Sequence, residues 1–288
     1  MNKDLVFIDS DPDLTRVCNQ LQDCTWLAVD TEFERTNTYY PELCLMQVAS
    51  KEITAVIDPL TIASLEPLFK VLFDPSITKV FHAARQDFEI FFHIKGKLPV
   101  PLFDTQIAAS MLGYDKQTSY ANLILDMLGV ELDKTQTRTD WKQRPLSRKQ
   151  LDYAADDVIY LGQVYEMLRT RLIASGQLSL QEEESNALAR AELYQADPEN
   201  MWLKIREARK LKGNVLAALQ QLAAWREITA RTENRPRQWV LHDNTLVMMA
   251  RMLPASRDDL SRIKGVNKRV LKRHGDTLLG IIEAARKV

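Results

Sequence analysis

Cysteine is scarce in this sequence, with only Cys18, Cys24 and Cys44 among 288 residues. An odd number of thiols in apolar or helical surroundings argues against a disulfide framework and is typical of a reduced, cytoplasmic protein. No spacing of cysteine and histidine matches a zinc site. The sequence therefore gives no indication of a secreted scaffold or of a zinc-binding module.

Long apolar runs are also missing. No stretch approaches the roughly 18 residues that a membrane-spanning helix needs, and the first residues lack the charged, apolar and small-residue segments of a signal peptide. Gly96-Lys97 is followed by leucine and has no phosphate-loop context, which argues against a helicase. We therefore expect a cytoplasmic protein with no membrane partner and no nucleotide cofactor.

Composition is otherwise ordinary, with 45% hydrophobic and 27% charged residues, which is enough to bury a sizeable core. The net charge of −1 conceals a division. Residues 1–200 contain 19 Lys and Arg against 31 Asp and Glu, whereas residues 201–288 contain 19 against 8, a net charge of +11. A basic C-terminal region indicates contact with nucleic acid or another polyanion, although it could also be merely a solvated surface.

Hydrophobic patterns predict an α/β domain followed by an all-α domain. Strand-like and helical segments alternate up to about Pro99, with short links between the early strands. This pattern predicts a mixed sheet, antiparallel on one side, with helices on both faces. After that point the pattern is helical, and Asp197-Pro198 marks a turn. We expect one domain over residues 1–195, ending in a connector helix, and a helical domain over 205–288.

Two acids lie at the end of a strand that is otherwise apolar. In the segment 27–33, Asp30 and Glu32 are two residues apart, so a strand directs both side chains to the same face. Buried like charges raise each other's pKa unless a cation neutralises them. Taken alone, the pair is equally consistent with a strand that emerges into solvent.

Two further segments carry candidate acids. Asp87 is expected at the start of the helix that follows the strand ending at His82, where an acid often only offsets the helix dipole. Ser147 and Gln150 fit a capping box, which predicts a helix beginning there. In that helix Tyr153 and Asp157 are four residues apart and share one face. Each feature by itself is commonplace.

Together the acids change the interpretation. Asp30, Glu32, Asp87 and Asp157 carry four negative charges, which two divalent cations would balance. Two cations held by carboxylates are a recurring device for phosphodiester cleavage. Oxygen ligands favour Mg²⁺ or Mn²⁺ over Zn²⁺. The set therefore predicts a metal-dependent nuclease.

The chain resembles the ribonuclease D family. Asp30-Thr31-Glu32, Asp87 and Tyr153-Ala154-Ala155-Asp156-Asp157 are similar to the three exonuclease motifs of the DEDD superfamily, in its tyrosine subclass. Further matching segments are Tyr40–Gln47, Trp141–Ser147 and, from about residue 208, the HRDC-like Trp225-Arg226-Glu227, Leu241-His242-Asp243 and Ile263-Lys264-Gly265. Some family members carry two HRDC domains, whereas this chain has room for one.

The resemblance implies an RNase H-like exonuclease fold and a role for each motif residue. Asp30, Glu32 and Asp157 would hold one cation, Asp30 and Asp87 would support a second, and Tyr153 would orient the attacking water. It also implies release of nucleoside 5′-monophosphates from the 3′ ends of RNA, with tRNA precursors as expected partners. Apart from the resemblance, Phe33, Tyr39 and Tyr40 are candidate stacking residues for the terminal bases, although they could equally be core or loop aromatics.

Three basic residues of one loop are further candidate RNA contacts. Arg138, Lys142 and Arg144 could bind phosphates, or they could be solvated loop residues.

Two other functions remain open at this point. The same catalytic set serves DNA 3′–5′ exonucleases, and nothing in the motifs selects ribose over deoxyribose. A non-catalytic RNA-binding protein built on an exonuclease fold is the alternative from another class. The presence of all four acids and the tyrosine argues against it.

Overall fold

The computed structural model describes residues 5–133, 135–137 and 139–287. It divides into two compact units. The first contains the chain up to Glu34 together with Pro41–Tyr194, and the second contains Arg35–Tyr40 together with the chain from Gln195 onward. The short excursion at 35–40 has no counterpart in the sequence analysis.

The first unit is built on one six-stranded sheet. Its strands are β1 Leu5–Ile8, β2 Trp26–Glu34, β3 Glu42–Ala49, β4 Thr54–Ile57, β5 Thr78–Phe81 and β6 Leu102–Asp104, in the order β1-β4-β3-β2-β5-β6. β3 is antiparallel to both β2 and β4, whereas β1–β4, β2–β5 and β5–β6 are parallel pairs. The expected mixed sheet is confirmed.

Among the described residues of this unit, seven α-helices accompany the sheet. They are α1 Asp11–Leu21, α2 Glu66–Leu72, α3 Arg85–Lys95, α4 Thr105–Met111, α5 Tyr120–Leu128, α6 Arg148–Ala174 and α7 Leu178–Asn186. The strand β6 was not expected, since the sequence showed little strand signal after Pro99. It has three residues, which is too short to display a period of two.

Alternation along the strands supplies two apolar faces. Leu27 and Val29 pack with α1–α3 in one core cluster. Ala28, on the opposite face, packs with Val158 and Leu161 of α6 in another. Helices therefore cover both faces of the sheet, and the continuously apolar central strands follow from burial on both sides.

The helix α6 begins as the capping box predicted. Ser147 accepts a hydrogen bond from the backbone N–H of Gln150, and the Gln150 side chain accepts one from the Ser147 N–H. Such a cap stabilises a helix start by about 1 kcal/mol. It also fixes the register of a 27-residue helix that carries two of the motif residues.

The second unit is helical. After 3₁₀ turns at Pro198–Lys204 and Arg206–Lys210 come α8 Gly213–Thr232, α9 Arg237–Val240, α10 Asp243–Met252, α11 Arg257–Ser261 and α12 Lys268–Arg286. Leu219, Leu222, Leu246, Leu278 and Ile282 are fully buried in its core.

Within the second unit, residue 39 is held by a charged network. The Tyr39 hydroxyl donates to buried Glu227, which also pairs with Arg231 and Arg237.

No helix in the described part of the chain is both long and apolar enough to cross a membrane.

Candidate active site

The strand β2 places two carboxylates on the face that α6 covers. Asp30 and Glu32 follow Ala28 at intervals of two residues, and the Ala28 side chain is buried among α6 residues. The pairing of β2 with β3 shifts register between Glu32 and Phe33. An irregularity of this kind at a strand end bends the strand and redirects its side chains.

The helix α6 places two more motif residues over the same face. Tyr153 and Asp157 are one turn apart, and the intervening Ala154 and Ala155 are buried. Small alanine side chains allow the helix to approach the sheet closely. The helical spacing of Tyr153 and Asp157 therefore places both side chains on the face of α6 that meets the sheet.

Three carboxylates meet in this place. Oxygen atoms of Asp30, Glu32 and Asp157 all lie within 4.8 Å of one another. They line a cavity of about 480 Å³. The other lining residues are Thr31, Phe33, Glu34, His82, Gln86, Tyr120, Thr137, Thr139, Trp141, Tyr153 and Leu161.

Burial and mutual repulsion make this cluster costly to ionise. Burial, reinforced by Asp30 and Asp157, raises the pKa of Glu32 to about 10. Burial, then the negative charge of Asp156, raises that of Asp157 to about 8. The pKa of Asp30 also lies well above its ordinary range, because of burial and then Asp157. Nearby charge therefore adds to the cost of burial at all three acids.

The donor set of the cluster suits a hard cation. All three donors are carboxylate oxygens, the ligands that Mg²⁺ and Mn²⁺ prefer. No lysine or arginine in the described ranges forms a salt bridge with any of them. A divalent cation would supply the missing positive charge and allow the acids to ionise, so the residues present fit such a group.

Asp87 lies apart from the three-acid cluster. It is buried in the first turn of α3, and its Oδ1 accepts a hydrogen bond from Thr31 Oγ1 at 2.5 Å. Burial and then the charge of Asp30 hold the pKa of Asp87 well above its ordinary range. The structure thus brings together three of the four predicted acids and places the fourth within electrostatic reach.

Tyr153 is half-buried at the rim of the cluster. Its ring lies 6.0 Å from that of the buried Trp141, at an interplanar angle of 37°. Burial and then the Asp157 carboxylate raise the pKa of the phenol further above its ordinary value. The hydroxyl therefore keeps its proton at neutral pH and is available as a hydrogen-bond donor.

Two lining residues escaped the sequence analysis as site residues. The Tyr120 hydroxyl, on α5, donates to the carbonyl oxygen of Asp157 at 2.7 Å. His82 lies beside Tyr120, and its ring nitrogens lie 3.0 Å from Thr105 Oγ1 and 3.1 Å from the Thr118 carbonyl oxygen. Protein partners occupy both nitrogens, which fits a structural role for His82. Nothing local in the sequence indicates Tyr120.

The residues predicted to contact RNA lie in different surroundings. Phe33 lines the cavity. Lys142 is exposed and pairs with Glu42. Arg138 lies outside the described residues.

Arg144 is fully engaged by the protein. Its guanidinium donates to both carboxylate oxygens of buried Asp58, with Nη2–Oδ1 at 2.7 Å. It also donates to the carbonyl oxygens of Cys44, Trp141 and Gln143, each at 2.8 Å. All five N–H donors are therefore in use, which favours a structural role over the predicted phosphate contact.

Comparison with known proteins places this geometry in a family. A family model described as 3′-5′ exonuclease matches residues 5–173, and an HRDC domain model matches residues 215–282. A ribonuclease D of Pseudomonas paraeruginosa is 40% identical over 284 residues, which is 98% of this chain and 75% of that protein. The chain belongs to the ribonuclease D family. It is accordingly a 3′–5′ exoribonuclease, a hydrolase of phosphodiester bonds.

Solved structures agree with the family assignment. The crystal structure of Escherichia coli RNase D, described as an exoribonuclease involved in structured RNA processing, matches with a TM-score of 0.91 and 38% identity. The match covers all of this chain and 76% of that one. Brucella melitensis NrnC with bound Mg²⁺ matches 66% of this chain and 92% of its own, with a TM-score of 0.55 and 30% identity. An exonuclease fold of the DEDD type implies the use of divalent metal.

Proposed function

We propose that this ribonuclease D family member removes nucleotides singly from RNA 3′ ends with two divalent cations, Mg²⁺ or Mn²⁺, and releases nucleoside 5′-monophosphates. The observation that supports this most directly is the cluster of Asp30, Glu32 and Asp157 in a cavity, with which no lysine or arginine among the described residues forms a salt bridge. The Mg²⁺ bound in the NrnC structure supports the choice of metal.

The four acids divide the binding of the two cations. Asp30, Glu32 and Asp157 would hold the first, and Asp30 with Asp87 would hold the second. When bound, such cations activate water for attack on a phosphodiester and offset the negative charge that accumulates at phosphorus. The hydrogen bond that Thr31 donates to Asp87 fixes the orientation of this carboxylate.

Tyr153 and the cavity walls position the reactants. The protonated phenol of Tyr153 donates or accepts a hydrogen bond at the position of the attacking water. Phe33 offers an aromatic surface for a terminal base.

The second unit would hold the RNA body. Residues 201–288 carry a net charge of +11, which suits phosphate contacts. We further propose tRNA precursors as substrates, in line with the structured RNA processing ascribed to the E. coli relative. Binding of a tRNA precursor should weaken steeply as salt rises, since each phosphate contact adds to the salt dependence. An affinity that is insensitive to salt would exclude this role.

A 3′-trimming assay tests the proposal. Matched RNA and DNA oligonucleotides are incubated with Mg²⁺, with Mn²⁺ or with chelator, beside the Asp30→Asn variant. Stepwise shortening of RNA that needs metal and is lost in Asp30→Asn is the expected result. Equal degradation of DNA would widen the substrate class. Activity that survives chelation, or full activity of Asp30→Asn, would exclude the two-cation mechanism.

A further inference from the structure

Gln47 on β3 is buried without a partner. Its side chain is completely buried, and neither Nε2 nor Oε1 has a hydrogen-bond partner among the residues that the structure describes. Buried amides are nearly always hydrogen-bonded, because a lost hydrogen bond to water is otherwise not replaced. A buried amide without a hydrogen-bond partner is therefore unusual and needs a physical explanation.

The strand register places this amide beside the site. Gln47 is paired directly with Asp30 across the antiparallel β2–β3 ladder. Directly opposed residues point to the same face, with Cβ atoms about 4.5–5.5 Å apart. On its other side Gln47 is paired with Val56, which packs against α6 residues Ala154 and Ala155. The amide thus lies between the sheet and α6, on the face that carries the three acids.

The immediate neighbours of Gln47 along β3 and across to β4 are apolar. Leu45 and Val56 are fully buried neighbours of Gln47 on the same face. An apolar side chain of similar length at position 47 would fill the same space without an unpaired donor and acceptor. Packing therefore does not account for the amide, whereas a carboxylate opposite it on β2 would offer an acceptor for its N–H.

We propose that Gln47 is a positioning residue for Asp30. In the cation-bound protein its amide N–H donates to the Asp30 carboxylate and holds that side chain in one orientation. This inference rests on the proposed function, because it requires Asp30 to be a metal ligand. Partners behind a metal ligand set its orientation and its affinity for the metal.

Gln47→Met tests the role, since methionine is similar in length and has no donor. Two quantities are measured: Mn²⁺ affinity by titration calorimetry, and thermal unfolding with and without Mn²⁺. We expect Mn²⁺ affinity to fall by about 10- to 100-fold. Without metal, the unfolding temperature should stay the same or rise, because an unpaired amide has been removed. RNA trimming should slow at limiting Mn²⁺.

Thr54→Val is the matched control. Thr54 is also completely buried with an unpartnered hydroxyl. It is paired with Ala49 of β3 and is not opposite an acid. It should leave Mn²⁺ affinity unchanged.

Any one of several results would overturn the role of Gln47. They are unchanged Mn²⁺ affinity in Gln47→Met, an equal loss of affinity in Thr54→Val, or a marked fall in metal-free unfolding temperature, which would assign Gln47 to structure. If Gln47→Met fails to fold, Gln47→Leu is measured. Failure of both to fold also assigns the residue to structure. If the unchanged protein itself binds no Mn²⁺, the proposed function fails and not only this inference.

Discussion

Replacing Glu32 should change how the stability of the metal-free protein depends on pH. The folded-state pKa of Glu32 is about 10, against an ordinary value of 4.5. Between these values the folded protein keeps the proton and the unfolded chain releases it, so stability is lost as pH rises. The loss is about 1.4 kcal/mol per pH unit. Between about pH 5.5 and about pH 7.5, Glu32 alone therefore lowers the free energy of unfolding by about 3 kcal/mol.

Urea unfolding in the presence of a chelator measures this effect. The unchanged protein, Glu32→Gln and the exposed control Glu131→Gln are compared at the two pH values. Glu32→Gln should lose about 3 kcal/mol less than the unchanged protein as pH rises, whereas Glu131→Gln should behave like the unchanged protein. Saturating Mn²⁺ should reduce the difference, because a cation stabilises the ionised cluster. An identical pH dependence for Glu32→Gln and the unchanged protein would refute the reasoning.

The remaining predictions concern the site and its support. Asp157→Asn should lower the rate of RNA trimming by at least about 100-fold, as the loss of several kcal/mol of charge stabilisation implies; a rate within tenfold of the unchanged protein in saturating Mn²⁺ would contradict this. Tyr120→Phe removes the hydrogen bond to the Asp157 carbonyl and should cost about 1 kcal/mol of stability in urea unfolding, and an unchanged midpoint would argue against that bond. Arg144→Ala leaves buried Asp58 unpaired and should cost about 3 kcal/mol or more. The matched change in the exposed pair, Lys142→Ala, should cost less than about 1 kcal/mol, and equal losses in urea unfolding would remove the distinction.

Local periodicity was enough to place the main carboxylates. A period of two along β2 put Asp30 and Glu32 on one face, and a period of 3.6 along α6 put Tyr153 beside Asp157. The capping box at Ser147 fixed where that helix begins. These features depend on residues within one turn or one strand of each other, so the sequence determined them by itself.

The fold class and the activity were predicted from the resemblance of the motifs to the ribonuclease D family. The mixed sheet, the helical C-terminal region and the membership of the ribonuclease D family are all confirmed. The roles of the individual acids, the two cations and the tRNA substrate remain predictions that the experiments above address.

Contacts between distant segments were decided only by the tertiary structure. Asp87 binds Thr31 across 56 residues, and Tyr120 supports Asp157 across 37. Arg144 donates hydrogen bonds to Asp58, which is 86 residues away in the chain. Each contact depends on which strands and helices become neighbours, and no local pattern records that.

The neighbours that strand pairing creates were the hardest feature to predict from the sequence. The sequence shows Gln47 as the last residue of a segment that matches the family, and only the strand register places it opposite Asp30. The segment Arg35–Tyr40 lies between β2 and β3 in the chain, yet it belongs to the second unit. Sequence thus determined the residues that can bind metal and the local elements that carry them. Pairing and packing decided their neighbours, because burial and electrostatics depend on residues far apart in the chain.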